Sequence, residues 1–277
     1  MTDMEASVAR FAAMGTRVEL HLFGCDDPAA LAAAKAAILS VEDALTIHRP
    51  SPATALNRVL SLGAGAVVED ALLFEALLAV DTLWRATGGL FDPSLGAWAT
   101  LSLDRKTRQV AAGRPLTLDF GGFGKGFALD RATRALRAMG VPSALLSAGE
   151  SSIAVIGQHP LGGGWPLAIP HPNDAAAWLV EMEVADASLS ISSTAGAGVA
   201  KPGRAAMVRP TDGALVSAPA TAIAVAATGA DAEAWSTALL VAEDITAERL
   251  CAAAPEHRFR FSHAAPVGAA RSMEPTA

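Results

Sequence analysis

Residues 116–140 read LTLDFGGFGKGFALDRATRALRAMG, and four glycines and one lysine here separate an apolar run from an amphipathic one. From Phe127 the apolar residues recur in steps of three and four, which predicts a helix that Gly140 closes. Where a bare glycine loop enters a helix, unpaired N–H groups and the positive end of the helix dipole lie together. The segment therefore predicts an anion site to which Lys125 adds a full charge.

Two common nucleotide motifs do not fit this segment. A P-loop requires Ser or Thr after its Gly-Lys pair, where this chain has Gly126. The dinucleotide fingerprint G-x-G-x-x-G requires a third glycine where Phe127 stands. The alternative without a ligand is that the glycines only make a tight turn and that Lys125 is a solvated side chain.

The remaining pattern predicts an α+β fold of antiparallel sheets with helices packed on them. We expect a strand over 17–24, helices over 28–46 and 71–87 with a loop at 48–57 between them, and a short strand pair from QVAAG and LTLDF. Five apolar runs separated by turn residues then follow between 143 and 193, which is typical of antiparallel strands. A strand (APATAIAVAA) and a helix (DAEAWSTALLVAED) complete the pattern.

Composition excludes several classes of protein. The net charge of -7 and the absence of a basic block argue against nucleic-acid binding. Cys25 and Cys251 lie far apart without ligand-spaced partners, so neither a zinc site nor a disulfide framework is indicated. No signal-peptide pattern and no run of eighteen apolar residues is present, so we expect a cytoplasmic protein with no membrane span. We expect one domain over residues 1–262 and a disordered tail over 263–277.

Taken with its neighbours, the glycine stretch resembles the ApbE family of FAD:protein FMN transferases, in which a G-G-x-x-K-G loop opens a helix beginning G-(Y/F)-A-x-D. Residues 121–130 read GGFGKGFALD. Other family landmarks follow the same order and cover most of residues 11 to 243. They are Met14-Gly15-Thr16, Asn57 after Arg49-Pro50-Ser51, and Phe91-Asp92-Pro93.

The resemblance implies a transferase that binds FAD with Mg²⁺ on its pyrophosphate. It would move the FMN half to a threonine hydroxyl of an acceptor flavoprotein, a flavinylation that releases AMP. The pyrophosphate would be the anion of the glycine loop, whose bare backbone allows close approach. The family pattern gives catalytic roles to Lys125 and Glu233, and cofactor contacts to Met14, Asn57, Asp92, Gly121, Gly122, Lys125 and Asp130.

The resemblance also implies a metal site made by the carbonyl of Gly124 and the side chains of Glu233 and Thr237. Side chains four residues apart share one face of a helix, so the last two can converge on one ion. The family has Asp where this chain has Glu233, and Asp231 is a possible substitute. The alternative is that both acids only satisfy a helix dipole and that Thr237 is a packing residue.

A second departure affects the family motif H-x-x-D-P-x-T-G, for which this chain reads AMVRPTDG. Ala206 replaces the histidine and Arg209 the aspartate, so the general base is unidentified, and none of the six histidines stands at that position. Thr194 and Glu150 occupy positions that the family gives to glycine. Two alternatives therefore stay open: an FAD-binding protein without transfer activity, or an FAD pyrophosphatase that yields FMN and AMP.

Overall fold

The protein is described by a computed structural model over residues 6–194 and 207–263. Its centre is a seven-stranded sheet in the order β1-β2-β6-β7-β10-β13-β14, in which every neighbouring pair is antiparallel. These strands are β1 (Ser7–Ala13), β2 (Thr16–Phe23), β6 (Ser143–Ala148), β7 (Ser152–Ile156), β10 (Ser188–Ser193), β13 (Ala220–Ala226) and β14 (Arg258–Ser262).

The described residues also form three smaller sheets. A three-stranded sheet contains β3 (Gly65–Val67), β5 (Gln109–Ala112) and β4 (Leu101–Leu103), and two hairpins are formed by β8 (Trp165–His171) with β9 (Asp174–Val184) and by β11 (Met207–Val208) with β12 (Leu215–Val216). The helices are α1 (Pro28–Leu45), α2 (Pro52–Leu60), α3 (Ala71–Ala86), α4 (Gly124–Ala138), α5 (Gly229–Val241) and α6 (Asp244–Ala252), and a 3-10 turn spans Trp98–Thr100.

Helix α4 lies between α1 and α5, and both α4 and α5 pack on the central sheet. The alternation of β2 sends Val18, Leu20 and Leu22 into the main core, where each is completely buried. A second cluster around Ile169, Leu189 and Ile223 joins the β8–β9 hairpin to the sheet. The predicted α+β class with antiparallel sheets is confirmed.

Two local predictions were wrong. The expected loop at 48–57 contains the start of α2, because Ser51 and Thr54 form a reciprocal capping box and Pro52 occupies the first helical turn. The LTLDF run is not a strand: the amide of Asn57 pairs with both the N–H and the C=O of Leu118, at 2.8 Å each. The side chain of Asn57 thus makes the two backbone hydrogen bonds that a neighbouring strand would otherwise make.

Strand β1, helix α6 and strand β14 were not expected from the sequence. The predicted tail lies outside the described residues from position 264 onward. Across 6–194 and 207–263, no helix combines the length and the apolar character needed to cross a bilayer.

Candidate active site

Helices α4 and α5 begin in direct contact, at Gly126 and Gly229. A Cβ atom on Gly126 would lie 2.1 Å from the carbonyl oxygen of Gly229, and a Cβ on Gly229 would lie 2.5 Å from the carbonyl oxygen of Gly126. Only glycine allows two backbones to approach this closely. The contact holds the N-terminal turns of two helices side by side.

Asp130, one turn further along α4, fastens this contact. Its carboxylate accepts hydrogen bonds from the backbone N–H groups of Gly229 (2.5 Å) and Ala230 (3.0 Å). Burial raises the pKa of Asp130 to about 6 despite these two bonds, and the charges of Asp231 and Glu233 add to the rise. The structure thus places Asp130 as a cap of α5, and its predicted contact with FAD stays a prediction.

The other loop glycines face different neighbours. A Cβ on Gly122 would lie 3.4 Å from Thr237 Oγ1, and one on Gly124 would lie 2.9 Å from Met14 Cε. Met14 itself adopts φ 55° in the turn between β1 and β2. The loop therefore runs between α5 on one side and the β1–β2 turn on the other.

A cleft opens beside the loop and is lined by Met14, Gly121 and Gly124 together with His48. The N–H of Gly121 donates to Asp119 Oδ1 at 2.8 Å. Phe123, the N-cap of α4, offers no side-chain acceptor to the first helical turn. The N–H of Gly124 donates to the carbonyl of Phe120 at 2.7 Å, whereas the N–H groups of Lys125 and Gly126 have no acceptor among the described residues. Free N–H groups at a helix start are the arrangement that binds an anionic oxygen.

Lys125 and the buried Glu233 form an ion pair next to this helix start. Lys125 Nζ lies 3.0 Å from Glu233 Oε1, and Ser152 Oγ donates to the same oxygen at 2.5 Å. Glu233 is 3% exposed, and its Oε2 has no hydrogen-bond partner among the described residues. An unpartnered buried carboxylate oxygen is costly unless an ion completes it.

The donor set fits Mg²⁺. Hard carboxylate, hydroxyl and carbonyl oxygens are its preferred ligands, and a few of them suffice beside phosphate oxygens. Glu233 Oε2, which has no partner among the described residues, would supply the carboxylate oxygen. Thr237, one turn later on α5, would supply the hydroxyl. No cluster of three His, Cys, Asp or Glu side chains occurs within 6–194 and 207–263, so a metal site here depends on hydroxyl and carbonyl groups.

The alternative carboxylate, Asp231, is engaged elsewhere. Thr228 Oγ1 donates to Asp231 Oδ2 at 2.8 Å, and the N–H of Asp231 donates back to Thr228 Oγ1 at 3.1 Å. Asp231 thus belongs to the N-cap of α5, in agreement with the first-turn role considered for both acids. Glu233 instead faces Lys125 and Ser152.

Asn57 and Asp92, predicted to contact the cofactor, have scaffolding contacts. Asn57 holds the backbone of Leu118 ahead of the glycine loop, as described above. Asp92 is 7% exposed and organises the turn that follows it. Its oxygens accept from Ser94 N (2.7 Å), Ser94 Oγ (2.5 Å), Gly96 N (3.1 Å) and Trp98 N (3.3 Å).

Arg209, at the motif's aspartate position, closes the far end of α5. Its Nε donates to the carbonyl of Val241 at 2.8 Å, and its Nη1 pairs with Asp212 at 2.8 Å and Glu243 at 3.2 Å. Cations favour the C-terminal end of a helix in this way. Ala206, at the histidine position, lies outside the described residues.

Glu150 and Thr194 stand at the two positions where the family has glycine, and each makes a specific contact with its side chain. Glu150 adopts φ 61°, a left-handed conformation that glycine takes without strain, and its carboxylate pairs with Arg17 at 3.1 Å. The hydroxyl of Thr194 donates to the carbonyl of Ala218 at 2.7 Å and accepts from the N–H of Ala220 at 2.9 Å.

Sequence reasoning missed Ser152 and Gly229 as parts of this site. Gly229 lies two residues before the helix predicted over 231–244, and its contact with Gly126 depends on tertiary structure. Ser152 lies 81 positions from Glu233, and no local pattern connects the two.

Comparison with known proteins identifies the family and supports the fold. The ApbE family model matches residues 97–260, more than half of the chain, whereas no curated protein gives a significant match. Pseudomonas stutzeri flavinyl transferase ApbE in its apo form shares the fold with a TM-score of 0.76 at 19% identity, over 95% of this chain and 96% of that one. The ApbE protein of Thermotoga maritima gives 0.77 at 18% (92% and 93% covered). Flavin transferase ApbE from Vibrio cholerae gives 0.77 at 15% (94% and 97%). The chain belongs to the ApbE family.

Proposed function

We propose that this protein transfers FMN from FAD to a threonine hydroxyl of an acceptor flavoprotein, with Mg²⁺ as its metal, and releases AMP. The observation that carries the proposal is the uncapped start of α4, where bare glycine backbone, Lys125 and the buried Glu233 meet beside a cleft. Membership of the ApbE family supports the flavin, and a site built for an anion next to a cation supports its diphosphate.

The residues of this chain would act mainly by positioning and charge neutralisation. The N–H groups of Lys125 and Gly126 at the start of α4 would donate to diphosphate oxygens, and the ammonium of Lys125 would balance their charge. The acceptor hydroxyl oxygen would bond to the phosphorus of the FMN half as the bond from that phosphorus to the bridging oxygen breaks. AMP would leave with the bridging oxygen, and the hydroxyl proton would pass to solvent.

Glu233, Thr237 and the carbonyl of Gly124 are our proposed metal-binding groups. Glu233 is preferred to Asp231 because one of its oxygens is buried without a partner, whereas Asp231 is bonded within the N-cap. When bound, Mg²⁺ would supply charge neutralisation at the diphosphate.

Two other functions use the same cleft. Loss of the motif histidine and aspartate at Ala206 and Arg209 favours an FAD-binding protein without transfer activity, and Arg209 indeed serves the end of α5. A pyrophosphatase would use water in place of the acceptor hydroxyl.

One incubation distinguishes the three. The full chain is mixed with FAD and Mg²⁺, with and without a purified flavoprotein domain that carries an acceptor threonine, and the products are separated under denaturing conditions. Transfer predicts AMP together with flavin fluorescence on the acceptor band, pyrophosphatase activity predicts AMP and free FMN without acceptor, and a binding protein predicts neither. Lys125→Met is the matched variant, expected to lower AMP release strongly. An acceptor that stays unlabelled would refute the transferase.

We also propose that the reaction takes place in the cytoplasm. Cys25 and Cys251 are both free thiols, as is usual in a reducing compartment. Fractionation of the source cells would test this location.

A further inference from the structure

Ser152 is the first residue of β7, and it reaches across the core to helix α5. Its hydroxyl donates to Glu233 Oε1 at 2.5 Å, although the two residues are 81 positions apart. Ser152 is 2% exposed and Glu233 3% exposed, so the bond is shielded from water. A hydroxyl that donates to a carboxylate in such surroundings forms one of the stronger hydrogen bonds found in proteins.

The two oxygens of Glu233 are used unequally. Oε1 receives both the hydroxyl of Ser152 and, at 3.0 Å, the ammonium of Lys125. Oε2 is buried and receives no donor from the described residues. Two donors on one oxygen fix the carboxylate in a single orientation and leave the other oxygen free for a ligand of positive charge.

Lys125 alone is a poor anchor for this orientation. Its side chain is 23% exposed, has four rotatable bonds and is the group that the proposed function directs at a diphosphate. Ser152 has a short side chain on a strand in the middle of the sheet. A glutamate has one more rotatable bond than the aspartate of the family pattern, so it requires such a tether.

We propose that Ser152 is a positioning residue that holds Glu233 so that Oε2 can bind a divalent cation. The inference rests on the metal of the proposed function, and it extends that metal site to a residue on another element. Groups behind a metal ligand typically change metal affinity by about 10–100-fold when they are removed.

The test is binding of Mn²⁺ alone to the full-length protein, followed by loss of the free-ion electron paramagnetic resonance signal. Ser152→Ala is compared with Ser190→Ala. Ser190 lies opposite Ser152 on β10 and is 3% exposed, and its hydroxyl accepts a hydrogen bond from Ser236 instead of donating one to Glu233. Each variant loses one buried hydroxyl, but only Ser152→Ala loses the hydrogen bond to Glu233.

We expect Ser152→Ala to weaken Mn²⁺ binding about tenfold, and Ser190→Ala to change it less than about twofold. Ser152→Cys keeps a side chain of similar size but has a weaker hydrogen-bond donor, so its affinity for Mn²⁺ should lie between those of wild type and Ser152→Ala. If Ser152→Ala does not fold, Ser152→Cys is used in its place. Equal affinity in wild type and in the Ser152 variant, an equal loss in Ser190→Ala, or a wild-type protein that does not bind Mn²⁺ would overturn the inference. A wild type that binds Mn²⁺ but never transfers FMN would refute the proposed function alone.

Discussion

Replacing Gly126 with alanine tests the contact between α4 and α5 that assembles the site. The added Cβ would lie 2.1 Å from the carbonyl oxygen of Gly229, where ordinary contact begins near 3.4 Å. The obstacle is backbone rather than a flexible side chain, so the helix starts must separate by roughly 1 Å in a close-packed interior. That separation stretches the bonds from Asp130 to the N–H groups of Gly229 and Ala230.

Two destabilising contributions and one stabilising contribution determine the expected change in the free energy of unfolding. Overpacking costs about 1–3 kcal/mol, and each hydrogen bond to a charged group that is lost costs about 1.5–3 kcal/mol. Alanine favours a helix over glycine by about 1 kcal/mol. With one of the two bonds lost, we expect Gly126→Ala to lower the free energy of unfolding by about 1.5–5 kcal/mol, whereas a glycine without this contact would gain stability from the same change.

Urea unfolding followed by tryptophan fluorescence measures this difference, and Gly122→Ala is the matched control. A Cβ on Gly122 would meet Thr237 Oγ1 at 3.4 Å, an ordinary contact, and neither glycine has a positive φ. The free energy of unfolding of Gly122→Ala should lie within about 1 kcal/mol of that of wild type. A Gly126→Ala protein as stable as wild type would show that the two helix starts are not in contact.

Three further predictions concern stability and binding. Arg209→Ala should lower the free energy of unfolding by about 1–2 kcal/mol through loss of its bond to Val241, yet leave FAD affinity unchanged; a loss of affinity would place Arg209 at the ligand. Asp130 has a folded pKa of about 6 against 3.8 for the free group, so its contribution to stability should fall as pH rises from about 4 to 6 and then level. In Asp130→Asn, the free energy of unfolding measured with urea should not show this decline. A pH profile identical to that of wild type would contradict the prediction. Glu233→Gln should weaken Mn²⁺ binding at least tenfold by calorimetry, and unchanged binding would remove Glu233 from the metal site.

Elements with a strong local pattern were predictable. Helix α4 follows from the three-and-four spacing after the glycines, and the antiparallel strands between Ser143 and Ser193 follow from short apolar runs separated by turn residues. Helix α2 was missed because a Pro- and Ser-rich start is typical both of a loop and of a capped helix. The capping box of Ser51 and Thr54 decides between them.

The site was only partly predictable because its contacts are distant in the sequence. The glycine loop and Lys125 form a local pattern, whereas the bond between Ser152 and Glu233 depends on the packing of β7 against α5. The approach of Gly126 to Gly229 likewise depends on tertiary structure. The proposed preference for Glu233 over Asp231 as metal ligand depends on the hydrogen bond that already engages Asp231 at the N-cap of α5, which the sequence does not show.

The proposed function depends above all on binding of the FAD diphosphate at the start of α4. The most direct measurement is a titration of the purified full-length protein with FAD in the presence of Mg²⁺, followed by calorimetry and flavin fluorescence, for wild type and Lys125→Met. We predict saturable binding that ADP competes for, and an affinity at least tenfold lower in Lys125→Met because a charge-assisted contact is lost. Neither heat nor a change in flavin fluorescence with wild-type protein would contradict the claim.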